Sequence, residues 1–180
     1  MSNTNFSFEG VKEITGKRLY QVGINTESNY ISKAEYNEQY DSLDITFEND
    51  SNSYRERIFN PTKNVPEWTT ADKELKKTQR RIMHILLRFM PLDDAQNIKG
   101  TNWKEMCENV SSILLEKSHG KHFELKFIFD KKFEYPELGA IPFIRIEGDK
   151  PLNYTDWENK NRMLVESNTK PETTEEDDIF

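Results

Sequence analysis

A mainly β fold with helices, its helical segment lying between the third and fourth strands, follows from three features of the 180-residue sequence. Polar and apolar residues alternate strictly in several short stretches on either side of residues 70–119, that middle block switches to helical spacing, and turn-forming residues separate the pieces. Hydrophobic residues make up 34% of the chain and charged residues 32%, so the apolar material must be gathered into one modest core with a polar remainder.

Residues 17–24 and 29–36 alternate like two halves of one bent strand, broken at the polar run Asn25 to Ser28. Residues 40–48 put Leu43, Ile45 and Phe47 on one face and Ser42, Asp44, Thr46 and Glu48 on the other, the pattern of a half-buried strand. Asn49-Asp50-Ser51-Asn52 is turn chemistry, because short polar side chains bond back to their own backbone, and residues 53–59 resume as the second arm of a hairpin.

Pro61 and Pro66 mark a linker. Thr70 then caps a helix over residues 71–90, with Asp72 and Glu74 at its positive end, a buried stripe of Leu75, Ile82, Leu86 and Phe89, and Pro91 as its stop. A second helix starts at Asn102, which fits a capping box with Glu105; Trp103, Met106, Cys107, Val110, Ile113 and Leu114 recur at helical spacing until Gly120. Residues 122–130 alternate again around Phe123, Leu125, Phe127 and Phe129, and residues 140–147 form the last strand, where Pro142 suits an edge or a bulge.

This order of three strands, a helical segment and two strands predicts a five-stranded OB-like barrel with a helical insertion between strands 3 and 4. The expected organisation is an OB-fold DNA-binding domain over residues 1–150, with its helical segment at 70–119. A docking extension over 151–165 carries Tyr154, Trp157, Met163 and Leu164, and a disordered acidic tail follows over 166–180.

Charge is distributed unevenly. The tail carries five of the seven net negative charges, so the body is close to neutral and can present one basic and one acidic face. No apolar run reaches the length of a membrane span, the first residues lack the pattern of an export signal, and the single cysteine, Cys107, rules out an internal disulfide framework and zinc sites built on two or more cysteines. A reducing, cytoplasmic setting is expected. Neither a Gly-rich phosphate loop nor a nucleophile with its base stands out, His119 and His122 make a weak metal site, and Asp93-Asp94 reads as solvated loop charge, so no catalytic residue, metal or cofactor is assigned.

The last residues read Glu175-Glu176-Asp177-Asp178-Ile179-Phe180, apolar side chains behind an acidic run. This end resembles the acidic C-terminal tip of bacterial and bacteriophage single-stranded DNA-binding proteins, whose bacterial form has several aspartates followed by Ile-Pro-Phe; the proline is missing here. Phage members of that group join an OB barrel to such a tail. The resemblance implies that Asp177, Asp178, Ile179 and Phe180 bind replication and recombination proteins such as a polymerase, a helicase or primase, or a recombinase. It also implies the cytoplasm of a bacterial host as the location if the chain is phage-encoded, and a role in replication, recombination and repair.

Single-strand binding needs cations for phosphates and exposed rings for bases. On the third strand Arg55 and Arg57 share a face with Phe59, while Tyr54 falls on the other side, as a ligand contact or as core. The loop Asp130-Lys131-Lys132-Phe133-Glu134-Tyr135 interleaves cations and rings, with Lys131, Lys132, Phe133 and Tyr135 as DNA contacts or Phe133 as packing. Lys126 and Arg145 point from neighbouring strands, and Lys73, Lys77 and Arg80 lie opposite the helix's apolar stripe, as a phosphate track, a dock for the tail or a solvated face. The leading expectation is a non-enzymatic single-stranded DNA-binding protein without sequence preference, with no membrane partner and a homodimer among the arrangements allowed. A protein-interaction or structural module with a solubilising tail is the alternative.

Overall fold

The protein was analysed as a computed structural model, which describes residues 17, 19–63, 65–129 and 135–160. In chain order the elements are β1 (Gly23–Asn37), β2 (Ser42–Glu48), β3 (Ser53–Phe59), α1 (Ala71–Leu86), α2 (Leu92–Gln96), α3 (Trp103–Ser118), β4 (Phe123–Phe129), β5 (Pro136–Leu138) and β6 (Ile144–Arg145). They form one antiparallel sheet of six strands in the order β3-β2-β1-β4-β5, with β6 also paired to β4. Among the described residues no helix is long and apolar enough to cross a membrane.

The length of β1 comes from serving two partners. Gly23 to Asn29 pair with β4, Tyr30 to Asn37 pair with β2, and the β4 register shifts between Asn25 and Asn29, where the polar run predicts a break. Asn29, fully buried, holds this corner. Its side-chain amide donates to the carbonyls of Glu27 and Phe123 at 2.8 Å each, and its Oδ1 accepts from the Tyr20 hydroxyl at 2.9 Å and from Asn49 at 3.2 Å. Satisfying every polar atom is what makes a buried amide tolerable at a bend. Asn49 in turn builds the β2–β3 turn, its Oδ1 accepting from the backbone N–H of Ser51 and Asn52 at 2.9 and 2.7 Å.

Cross-strand pairing sorts the side chains of β1–β3 into two faces. Tyr36, Leu43 and Ile58 form one inward row, Ala34, Ile45 and Glu56 the next, and Ile31, Phe47 and Tyr54 the third. Leu43, Ile45 and Phe47 lose all contact with water, each contributing about 1.5–3 kcal/mol by burial. Across this layer lie Ile82, Ile85 and Leu86 of α1, Cys107, Val110 and Leu114 of α3, and Phe123, Leu125 and Phe127 of β4. Burial, followed by the nearby Asp41 and Glu108 carboxylates, pushes the Cys107 thiol up to about 12.

Both helix caps form as their sequences predict. Thr70 Oγ1 accepts from Lys73 N–H at 3.3 Å and Asn102 Oδ1 from Glu105 N–H at 3.0 Å, although Glu105 turns its carboxylate to Thr101 N–H at 2.7 Å rather than back to Asn102. Three expectations need correction. Helix α1 ends at Leu86, its final turn tightening through Arg88 N–H to Ile85 O and Phe89 N–H to Leu86 O, before Pro91 opens the short α2. Leu75, expected in the buried stripe, is 37% exposed because the core contacts of α1 belong to its C-terminal half.

The third correction concerns the barrel. The last strand is not one run over 140–147 but β5 and β6, both laid along β4, and Pro142, lacking an N–H, falls in the gap between them. β3 and β5 are the two ends of the strand order, and among the described residues no ladder joins them, so the sheet is open. β5 is only three residues long, and the seam holds the side chains of Tyr54, Glu56 and Arg81 instead of backbone pairing.

Candidate nucleic-acid interface

The outward rows of β1–β3 are the complement of the core rows. Asn37, Ser42 and Phe59 stand side by side, then Glu35, Asp44 and Arg57, then Lys33, Thr46 and Arg55. The two arginines do different things. Arg57 grips Asp44 with two parallel bonds, Nε to Oδ1 at 3.0 Å and Nη2 to Oδ2 at 2.9 Å. Burial works against the Asp44 carboxylate, but Arg57, Ser42 and Asn37 together hold its pKa below the usual aspartate value.

The Arg57 guanidinium also lies 3.8 Å from the centre of the Tyr40 ring, propping an exposed aromatic from the β1–β2 turn over this face. Arg55 is exposed and engages no carboxylate among the described residues, and Phe59 is 57% exposed. Among the described residues the face therefore offers one uncommitted cation beside two rings. Lys33, paired with Glu35 at 2.5 Å, adds little net charge.

Beside this face a groove of about 560 Å³ runs between β3, α1 and the end of β5. Its cations are Arg55, Arg57, Lys63, Lys77 and Arg81, set against Glu56, Glu74 and Glu137. Arg81 spans the open seam, with its Nε on the Glu56 carboxylate, its Nη2 donating to Leu138 O at 3.4 Å and its guanidinium 4.6 Å from the Phe143 ring centre. It joins β3 to β5 through a side chain where no ladder does.

Several site residues sit elsewhere than expected. Of its two alternatives Tyr54 takes the core placement: it lies on the core face with its ring edge-on to Phe127 at 5.1 Å, its hydroxyl bonded to Glu56 at 3.0 Å, and burial pushing its pKa up. Lys126 departs from the solvent-facing position expected of it. Its side chain is completely buried, paired with Glu158 at 3.0 Å and bonded to Asn153 O at 3.0 Å, because residues 151–160 cross over the face of β4 that alternation assigns to solvent. Burial raises the Glu158 carboxyl, but the Thr155 N–H, Lys126 and the Ala140 N–H outweigh it and keep the pKa below the usual value.

Arg145 pairs with Glu124 directly across β4 at 2.6 Å and donates to Asp149 O, so its charge is committed on β6, a strand paired with β4 rather than with β2 or β3. Lys73, Lys77 and Arg80 are exposed on α1; Lys77 lines the groove with Glu74 3.9 Å away, and no carboxylate engages Lys73 or Arg80 among the described residues. Tyr135 is 62% exposed just before β5. Lys131, Lys132 and Phe133, and the tail residues Asp177, Asp178, Ile179 and Phe180, lie outside the described residues.

Sequence reasoning passed over Tyr40 and Glu158. Only the last had a local signal: Thr155-Asp156-Trp157-Glu158 is a capping box, and Glu158 N–H does bond to Thr155 Oγ1 at 3.2 Å while Thr155 N–H bonds to Glu158. In comparisons with known proteins, the chain matches no family model, no curated protein and no solved structure.

Proposed function

We propose that the protein binds single-stranded DNA without sequence preference, acting in replication, recombination and repair by covering the strand rather than by chemistry on it. In this reading the sheet is an OB-type barrel left open at the β3–β5 seam, with the strand lying across the outer face of β2 and β3. The observation that carries the reading is the uncommitted Arg55 beside the exposed rings of Phe59 and Tyr40, at the mouth of a groove with more cations than anions. Phosphates meet the cations and bases stack on the rings, an arrangement tolerant of sequence because every base has a π-face. The acidic segment 166–180, with Asp177, Asp178, Ile179 and Phe180, recruits polymerase, helicase or primase, and recombinase partners.

Fluorescence anisotropy of a labelled oligothymidylate titrated with the full chain tests this, repeated from about 50 to 200 mM salt against a duplex of equal length. Affinity should fall with salt along a slope of about −0.7 per phosphate contact on a log–log plot, and the duplex should bind more weakly. Absence of binding at the lowest salt would reject the reading. A protein-interaction module is then favoured by a different feature, a cleft of about 980 Å³ between α1 and α3 whose walls include Leu75, Ile82, Met83, Ile98, Trp103 and Met106.

A further inference from the structure

The most exposed large hydrophobic side chain among the described residues is neither on the sheet nor in the apolar cleft. Trp68 is 77% exposed in the segment joining β3 to α1. The turn that presents it, Pro66-Glu67-Trp68-Thr69, is closed by Thr69 N–H to Pro66 O at 3.1 Å and is followed at once by Thr70, the cap of α1. The ring is thus fixed at the head of a helix by backbone bonding while the indole itself is left in water. An indole so placed gives up a large burial gain, which a stacking partner restores.

Its surroundings suit one kind of partner. Val65 and Pro66 form part of the groove wall together with Phe59 and Lys77, so the turn continues the groove that begins on β3. Beyond it, Lys73, Lys77 and Arg80 recur at i, i+4 and i+7 along one flank of α1, a row about 10 Å long. Neutralisation within the helix falls mainly on a different flank, where Asp72 holds Lys76 at 2.8 Å. A ring followed by a row of exposed cations, of which Lys77 has Glu74 at 3.9 Å and Lys73 and Arg80 engage no carboxylate among the described residues, matches a base followed by its phosphates.

We infer that Trp68 is a base-stacking residue outside the sheet and that Lys73, Lys77 and Arg80 receive the phosphates next to it, so that the strand leaves β3 through the groove and continues along α1. The inference rests on the proposed single-strand binding and adds a second segment to that site.

The test uses the full chain, its W68A and W68F variants, and oligothymidylates of about 4 and 16 nucleotides, the range of site sizes for one OB fold. Circular dichroism melts that overlay wild type establish that both variants fold, as expected for so exposed a side chain. On the longer strand W68A should weaken binding roughly fivefold or more, whereas W68F, which keeps an aromatic face, should stay within about threefold. Saturating DNA should quench the tryptophan emission of wild type by more than that of W68F. A loss below about threefold for W68A on the longer strand, or equal quenching in wild type and W68F, overturns the inference while wild-type binding leaves the broader reading standing. If wild type binds neither strand, both fall. Quenching of the Trp68 signal by an acidic peptide but not by DNA would assign the surface to a protein partner and overturn the inference as well.

Discussion

β3 and β4 carry lysine or arginine at polar positions of strands that alternate equally well, yet the two cations have opposite fates. Arg55 on β3 is exposed and engages no carboxylate among the described residues, whereas Lys126 on β4 is sealed beneath residues 151–160 against Glu158. Alternation reports which side chains share a face; whether that face meets water depends on what else the chain lays over it. The covered side therefore holds structural charge, and the bare side is left to hold charge that a ligand can use. Variants that exchange or erase these roles measure how real the contrast is.

The largest effect should come from the covered side. K126A leaves Glu158 buried without its cation and should cost about 3–5 kcal/mol in urea unfolding, while K126M/E158L, which removes both charges, should regain most of that loss. Equal losses in the two variants would mean that residues 151–160 are not held by the pair. Gly139 belongs to the same cluster, because a Cβ there would sit 2.5 Å from Glu158 Oε1 and 2.7 Å from Lys126 Cε, and G139A should destabilise by about 1–3 kcal/mol.

The seam between the two regions comes next. R81A strips the Glu56 carboxylate of its cation and releases Leu138 O, which should cost about 1–3 kcal/mol and raise hydrogen exchange in β5 before β2. On the bare side, F59A should leave stability within about 0.5 kcal/mol but weaken oligothymidylate binding by about 1–3 kcal/mol. Full affinity in F59A would move the strand off this face.

Acid should also act on the covered side. His84 accepts from the N–H groups of Phe143 and Ile144 at 3.2 and 3.4 Å, and burial first, then Arg88 and Arg81, lower its pKa to about 4 against the opposing pull of Asp149. Between pH 6.5 and 4 the unfolded chain takes up a proton that the folded one refuses, so stability falls on acidification, by at most about 1.4 kcal/mol per pH unit. H84Q, which retains an acceptor and does not titrate, should flatten that part of the profile between pH 6.5 and 5. The smallest change is in R55A, whose salt slope for binding should shrink by about 0.7.

How much of this was legible follows the range of the forces involved. The bend in β1, the Asn49 turn and the Thr70 and Asn102 caps are decided within a few residues, and the sequence shows them plainly. The burial of Lys126 depends on a segment 32 positions away, the Asp44–Arg57 clasp on the pairing of two strands, and the open seam on how little of the chain after Pro136 could form a ladder. Of the candidate site, Arg55 is exposed on the face its position suggested, whereas Tyr54 turned inward with the alternation that put Arg55 outside.

Cys107 gives the molecule a built-in clock. With its sulfur out of reach and poorly ionised, a maleimide or disulfide reagent should modify it only when the surrounding core opens, so labelling kinetics report the opening equilibrium at low reagent and the opening rate once labelling outpaces closing. The same silence lets a second cysteine, placed at an exposed position such as Trp68, be tagged selectively in the folded protein without first removing the native thiol.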